Sequence, residues 1–267
     1  MNIVKAHAFG NDFLLAARRD VPPGTELPSL ARRLCERHRG LGADGLIVYD
    51  GSRGRTSMQL LNADGSYSEI SGNGVRCLAA AMARDARLPP GGSLMIETDA
   101  GAKTLELLDV AAGRYTFRAA MGQPERIERV TIRIGDDDVE AVTLRVGNPQ
   151  CVVLGEVTEE RLRTVAAALA VHPRFPEGTN VELAHVEGPG RVRILIWERG
   201  VGPTEASGTG ACAAAVAAIR YGGASRDVEI ESPGGTQRVE WRNDGLYLTG
   251  WAEVLVEARW ILDDARM

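Results

Sequence analysis

Cysteine and histidine are both scarce in this chain of 267 residues, with four of each. Cys35, Cys77, Cys151 and Cys212 form no C-x-x-C pair, and His7, His38, His172 and His185 are scattered. That spacing suggests neither a metal site nor a disulfide framework. Basic runs are missing too, and no stretch interleaves basic with aromatic residues. With a formal charge of −5 and a pI near 5.5, the chain offers no surface for phosphates, so no nucleic-acid partner is expected. No window approaches the ~20 apolar residues of a membrane span, and residues 1–17 lack a basic segment followed by an apolar block. A soluble, cytoplasmic protein with no membrane partner is the expectation. What is present is an apolar content of 44%, enough to bury a substantial core in one or two domains.

The chain is written twice. Gly10-Asn11 matches Gly147-Asn148, Gly42-Ala43-Asp44 matches Gly178-Thr179-Asn180, Glu69 matches Glu205, and Ser71-Gly72-x-Gly74 matches Ser207-Gly208-x-Gly210, all at an offset of about 136 residues. The order of elements repeats as well. Apolar segments on either side of Gly10-Asn11 read as a hairpin, and Ser29 opens a helix with Leu30, Leu34, Cys35 and His38 on one face, closed by Gly40. Strands follow near 45–49 and 57–62, then an Asp64-Gly65 turn, a glycine-led helix, and strands near 94–98, 103–109 and 114–119. The second half runs through strands near 141–146 and 151–154, a helix from Glu159 to Val171, strands near 180–186 and 191–197, a second glycine-led helix, and strands to about 261.

Each half is therefore an α+β unit, a mainly antiparallel sheet or barrel around a long helix, and the halves are expected to be pseudo-symmetric. The boundary is placed at 125/126, giving units 1–125 and 126–267. Gly122, Pro124 and the run Asp136-Asp137-Asp138 mark a connection or sheet edge there, and the final strand has the option of returning to the first half.

The two S-G-x-G phrases each feed a helix. A helix start carries unpaired N–H groups and the positive end of the macrodipole, and glycines let an anion approach the backbone. The plainer reading is a serine cap with glycines for close packing. Neither phrase has the Lys-Ser/Thr of a phosphate loop or the third glycine of a dinucleotide fingerprint, so no nucleotide cofactor is expected. Duplication sharpens the chemistry. Two such starts facing one cleft hold one carboxylate between them, with Ser71 and Ser207 on opposite faces of its α-carbon. That arrangement removes a proton from one side and returns it on the other.

These residues also carry a family likeness. The phrases H-A-F-G-N-D-F (7–13), R-H-R-G-L-G-A-D-G (37–45), N-A-D-G-S (62–66), G-N-G-V-R-C (72–77), G-N-P-Q-C-V-V (147–153), F-P-E-G-T-N-V-E (175–182), W-E-R-G-V-G-P-T (197–204) and G-T-G-A-C-A-A-A (208–215) resemble diaminopimelate epimerase over essentially the full length. The resemblance implies a cofactor-independent homodimeric isomerase with two similar halves around a cleft. Such an enzyme interconverts LL- and meso-diaminopimelate, an amino-acid substrate on the route to lysine and peptidoglycan. It implies substrate contacts at Asn11, Asn62, Asn148, Asn180, Glu198 and Arg199. Gly72-Asn73 and Gly208-Thr209 hold the reacting carboxylate, Ser71 and Ser207 stand at the base positions, and Glu198 lies near the second base.

The bases depart from the family pattern, which has cysteine before each glycine phrase and histidine where this chain has Gln150. A thiol titrates near 8.5 and an aliphatic hydroxyl several units higher, at about 1.4 kcal/mol per unit. Cys77 and Cys212 are expected to pack in the core. Three explanations stay open: a natural lineage with serine bases, an engineered trap, or a homologue that binds amino acids without epimerising them. A cofactor-free isomerase of this fold with another substrate, like the phenazine-biosynthesis isomerases, is the enzyme alternative.

Overall fold

Gly10 and Gly147 sit at repeat-related turns with φ of 84° and 75°, and Gly42 and Gly178 share φ of 69° and 71°. L side chains rarely adopt that backbone, so the matched phrases encode matched turns. A computed structural model describes residues 1–52, 55–68 and 71–261; Glu69, half of one repeat match, lies outside the described residues. The chain divides into two compact units, one of Met1–Ala119 together with the chain from Gly250, the other of Ala120–Thr249. The division falls ahead of 125/126 and the chain crosses back at its end. The reason is a long last strand, β17 (Gly245–Arg259), which pairs with β16 (Gly235–Arg242) up to Thr249 and with β1 (Asn2–Ala8) from Glu253 onward.

In the first unit β1 pairs antiparallel with β2 (Asn11–Ala17), which runs parallel to β3 (Gly45–Ser52). β3 is antiparallel to β4 (Arg55–Asn62), which runs parallel to β6 (Ser93–Thr98) and antiparallel to the two-residue β5 (Tyr67–Ser68). β6, β7 (Gly101–Ala111) and β8 (Arg114–Gly122) form a meander, β8 pairs with β17, and β17 returns to β1. Eight strands thus close on themselves, which removes exposed sheet edges.

The second unit repeats the pairing. β9 (Glu125–Ile134), β10 (Asp137–Val146) and β11 (Asn148–Leu154) are antiparallel, β11 is parallel to β12 (Asn180–Gly188), and β12 is antiparallel to β13 (Arg191–Glu198). β13 carries the short β14 (Gly202–Thr204) and runs parallel to β15 (Asp227–Ser232), which leads antiparallel to β16 and β17. Hairpin, parallel step, hairpin, parallel step, meander: both units read the same way, an α+β fold.

Each unit holds its glycine-led helix against its strands. α2 (Gly72–Ala86) follows α1 (Leu27–Cys35) and packs on β1, β2, β6 and β7. Between β11 and β12 lies a helical run of α3 (Glu159–Arg161), a wide turn at Leu162–Ala166, and α4 (Ala167–Ala170). α5 (Gly208–Ala217) meets β10, β11, β12, β13, β15 and β16. A helix touched on all sides must be apolar all round. Ala211 to Ala218 are each no more than 1% exposed, and the sequence supplies mostly alanine because strands on every side leave no room for larger side chains. Among the described residues, no helix is long and apolar enough to cross a membrane.

Two local expectations are corrected. The first helix runs over Leu27–Cys35, without Ser29 as its cap or His38 on its face. Pro28, with its φ fixed near the helical value, lies in the first turn. Glu36 then turns extended at ψ 125°, and Leu41 and Gly42 donate back to the Leu34 carbonyl at 2.9 and 3.0 Å, which leaves His38 exposed. The segment expected as a connection or sheet edge contains a full strand, β9. Its alternation is hidden by a bulge: the pairing of β9 with β10 shifts between Thr143 and Arg145, where Arg126 has φ 51°. Ile127 thereby lies out of step with Val130, Ile132 and Ile134.

Enlarging α5 tests the all-round packing. Ala214→Leu is expected to lower stability by about 1–3 kcal/mol through overpacking, read as a lower urea midpoint at unchanged slope. Val171→Ser, at a position 80% exposed, should move it by less than about 0.5 kcal/mol.

Candidate active site

Ser71 and Ser207 cap their helices in the same way. Both have extended backbone, at φ −130°, ψ 121° and φ −137°, ψ 128°, and each Oγ accepts the N–H of the third helical residue, from Gly74 at 3.1 Å and Gly210 at 3.2 Å. Each cap contributes about 1 kcal/mol. The N–H groups of Gly72 and Asn73, and of Gly208 and Thr209, are among those a helix leaves unpaired by its own ladder. A β-carbon at Gly72 would meet nothing within 4 Å, so the backbone there is open to approach. Ser207 is 7% exposed and its Oγ also lies 3.4 Å from Thr209 Oγ1.

In the first unit the start of α2 is braced by a chain of side chains. Arg76, buried beneath the Phe9 ring at 5.6 Å, donates to Asn73 Oδ1, and Asn73 Nδ2 donates to Asn11 Oδ1 at 3.3 Å. Asn11 Nδ2 donates to Asp44 Oδ2 at 2.8 Å, and Arg37 binds both Asp44 and Asp12. Asp12 is also 3.0 Å from Lys5. Burial alone would raise the Asp12 carboxyl, but the Arg37 and Lys5 hydrogen bonds hold it below the ordinary range. Asn62 is apart from this chain, exposed, with Nδ2 donating to Ser66 Oγ at 2.9 Å.

In the second unit, β12 and β13 set the residues by period two. Glu182 pairs with Ile196 and Ala184 with Ile194, and Ala184, Ile194 and Ile196 pack against α5. Val181, Leu183, Leu195 and Trp197 point the other way, toward Leu162, Ala166 and Leu169. Asn180, Glu182 and Glu198 therefore share the α5 face. Asn180 Oδ1 accepts the Arg199 N–H at 2.8 Å, while the exposed Arg199 guanidinium donates to the Glu177 carbonyl at 3.0 Å. Asn148 Oδ1 accepts from Gln150, whose side chain is 1% exposed. Gln150 is neutral, so it brings no cation to this position.

Glu182 is the site residue that sequence reasoning passed over. It is 0% exposed, and neither carboxyl oxygen has a hydrogen-bond partner among the described residues. Burial raises it well above the ordinary glutamate range, and the neighbouring Glu198 charge adds to the rise. Glu198 is raised by burial as well. The available signal was an acid two residues beyond Asn180 on a strand whose other inward residues are apolar. Cys77 and Cys212 are fully buried within their helices, and burial drives the Cys77 thiol upward and the Cys151 thiol to about 12.

Solved structures share the fold. A phenazine biosynthesis protein of Bacillus anthracis has the same fold, with a TM-score of 0.71 over 98% of this chain and 99% of that one, at 15% identity. In this chain that fold comprises two α+β units of one strand order, each with a capped glycine-led helix. Sequence narrows it further. The profile of the diaminopimelate epimerase family matches residues 3–127 and 142–255. The diaminopimelate epimerases of Desulforudis audaxviator and Desulfitobacterium hafniense are each 38% identical to the chain, covering 98% and 99% of it and 99% of their own lengths. The chain belongs to the diaminopimelate epimerase family.

A raised carboxyl leaves a pH signature. The folded state holds the Glu182 proton after the unfolded chain has lost it above about pH 4.3, so the stability this group contributes is present at low pH and is lost as pH rises through the folded pKa. The melting temperature of the native chain should fall more steeply than that of Glu182→Gln as the pH rises above about 4.3, with the two curves converging below it. Parallel curves would mean that Glu182 ionises normally.

Proposed function

We propose that this protein is an isomerase that interconverts LL- and meso-diaminopimelate without a cofactor, by proton removal and return at the α-carbon. The observation that carries this reading is the pair of helix starts with matched serine caps, in a chain that belongs to this family over nearly its whole length. Ser71 and Ser207 are the two bases. Gly72-Asn73 and Gly208-Thr209 bind the carboxylate next to the reacting carbon, where the helix dipoles stabilise the charge that develops as the proton leaves. Asn11, Asn62, Asn148, Asn180, Glu198 and Arg199 bind the remaining amine and carboxylate groups, with the Arg199 guanidinium suited to a carboxylate. The protein works in the cytoplasm on the way to lysine, as a homodimer.

The serines favour one second reading, a homologue that binds diaminopimelate without turning it over, since an alkoxide is out of reach near neutral pH without help. Incubation with LL-diaminopimelate in deuterated water separates the two. Slow α-proton exchange that rises with pH is expected, and Ser71→Cys with Ser207→Cys should accelerate it by at least about tenfold, because a thiolate is accessible near pH 8. Restoring histidine at Gln150 should add to the gain. Exchange that survives Ser71→Ala with Ser207→Ala would remove the serines from the mechanism. Binding with no exchange in the native chain would select the binding homologue.

A further inference from the structure

The first turn of α2 holds a buried cation that the matching turn of α5 lacks. Arg76 is 2% exposed, and the repeat puts Cys212 in its place in α5 and Thr209 in the place of Asn73. Packing alone therefore does not call for arginine, and burying a charge is unfavourable unless it is well hydrogen-bonded. The surroundings are shaped to hold it. Phe9, 0% exposed, takes φ 55°, a backbone that L residues rarely adopt, and its ring lies 5.6 Å from the guanidinium. A β-carbon at Gly250 would sit 3.0 Å from that ring and 3.3 Å from Arg76 Cζ, so glycine keeps the space open.

The hydrogen bonds that start at Arg76 run in one direction. A guanidinium only donates, and Arg76 donates to Asn73 Oδ1, which turns the Asn73 amide so that Nδ2 donates to Asn11 Oδ1 at 3.3 Å. Asn11 Nδ2 donates in turn to Asp44 Oδ2 at 2.8 Å, and the Asp44 carboxylate, an acceptor, is held by Arg37 at 2.8 Å. By shape alone either amide fits both ways round. With an obligate donor at one end and an acceptor at the other, a single arrangement survives, because flipping an amide sets donor against donor or acceptor against acceptor. We propose that Arg76 is a positioning residue for the substrate carboxylate: by fixing the polarity of the chain from Asn73 through Asn11 to Asp44, it ties the first turn of α2 to β2 and keeps the Gly72 and Asn73 N–H groups in place for the ligand. The inference rests on the reading that this helix start binds a carboxylate of diaminopimelate. Arg76 touches no substrate atom and acts through the Asn73 amide.

A double-mutant cycle separates this role from packing. Affinity for LL-diaminopimelate is read by calorimetry in the native chain, in Arg76→Gln, in Asn73→Ala and in the double variant, and the readout applies whether or not the chain turns the ligand over. Glutamine donates or accepts, so it no longer dictates which way Asn73 turns, and Asn73→Ala removes the amide while keeping the backbone N–H. Each single variant should weaken binding by about tenfold. The double variant should bind no worse than the weaker of the two, since without the amide Arg76 has nothing to orient. Arg76→Lys, which keeps an obligate donor of shorter reach, should lose less than Arg76→Gln, and that loss too should vanish in the Asn73→Ala background; it carries the cycle if the glutamine variant does not fold. Losses that add, or an Arg76→Gln chain that melts lower yet binds like the native one, would overturn the role and leave Arg76 as packing beneath Phe9. A native chain that binds no diaminopimelate would overturn the proposed function and the positioning role together.

Discussion

The N–H groups at the start of a buried helix need partners that the helix itself cannot supply, and the arrangement around α2 and α5 follows from that need. A serine at each cap takes one N–H, from Gly74 or Gly210, and the glycines keep the remaining backbone open. Any larger residue at Gly210 would displace Glu182, and one at Gly74 would press on Ile47. The same serines are therefore structural caps and candidate bases, and the two roles are compatible. An oxygen that accepts an N–H hydrogen bond at a positive helix end is better able to carry negative charge than one in bulk solvent.

Much of the fold was legible because the repeat is written in residues with few conformational substitutes. Gly10 and Gly147, and Gly42 and Gly178, mark positive φ at matched positions, and the S-G-x-G phrases mark helix starts. β9 was not legible. Its bulge at Arg126 breaks the alternation that identifies a strand, and its exposed face of Arg and Glu reads like a connection. The end of α1 was missed because the cue came from Gly40, a loop glycine, whereas the helix stops where Glu36 turns extended.

The candidate site divides along a similar line. Residues in glycine-rich phrases were found from sequence, since their spacing repeats and a turn demands them. Glu182 was not, because its significance lies in a pairing that spacing cannot express: β12 and β13 register it opposite Ile196 and turn it to α5, and Gly210 leaves the space it enters. The brace from Arg76 through Asn73, Asn11 and Asp44 to Arg37 has the same character, each member ordinary in sequence and constrained only by its neighbours.

Replacing thiol by hydroxyl at both caps raises the intrinsic pKa of the base by several units, and each unit is worth about 1.4 kcal/mol if the oxygen must ionise before it acts. Helix dipoles recover only about 0.3–2 kcal/mol of that at each end. Dipoles alone therefore leave a serine base several kcal/mol short. In the second unit a buried acid, Glu182, lies against Gly210, whereas at α2 the corresponding contact is the Ile47 side chain. A protein whose units match in strand order and in caps is thus unequal in what lies against those caps.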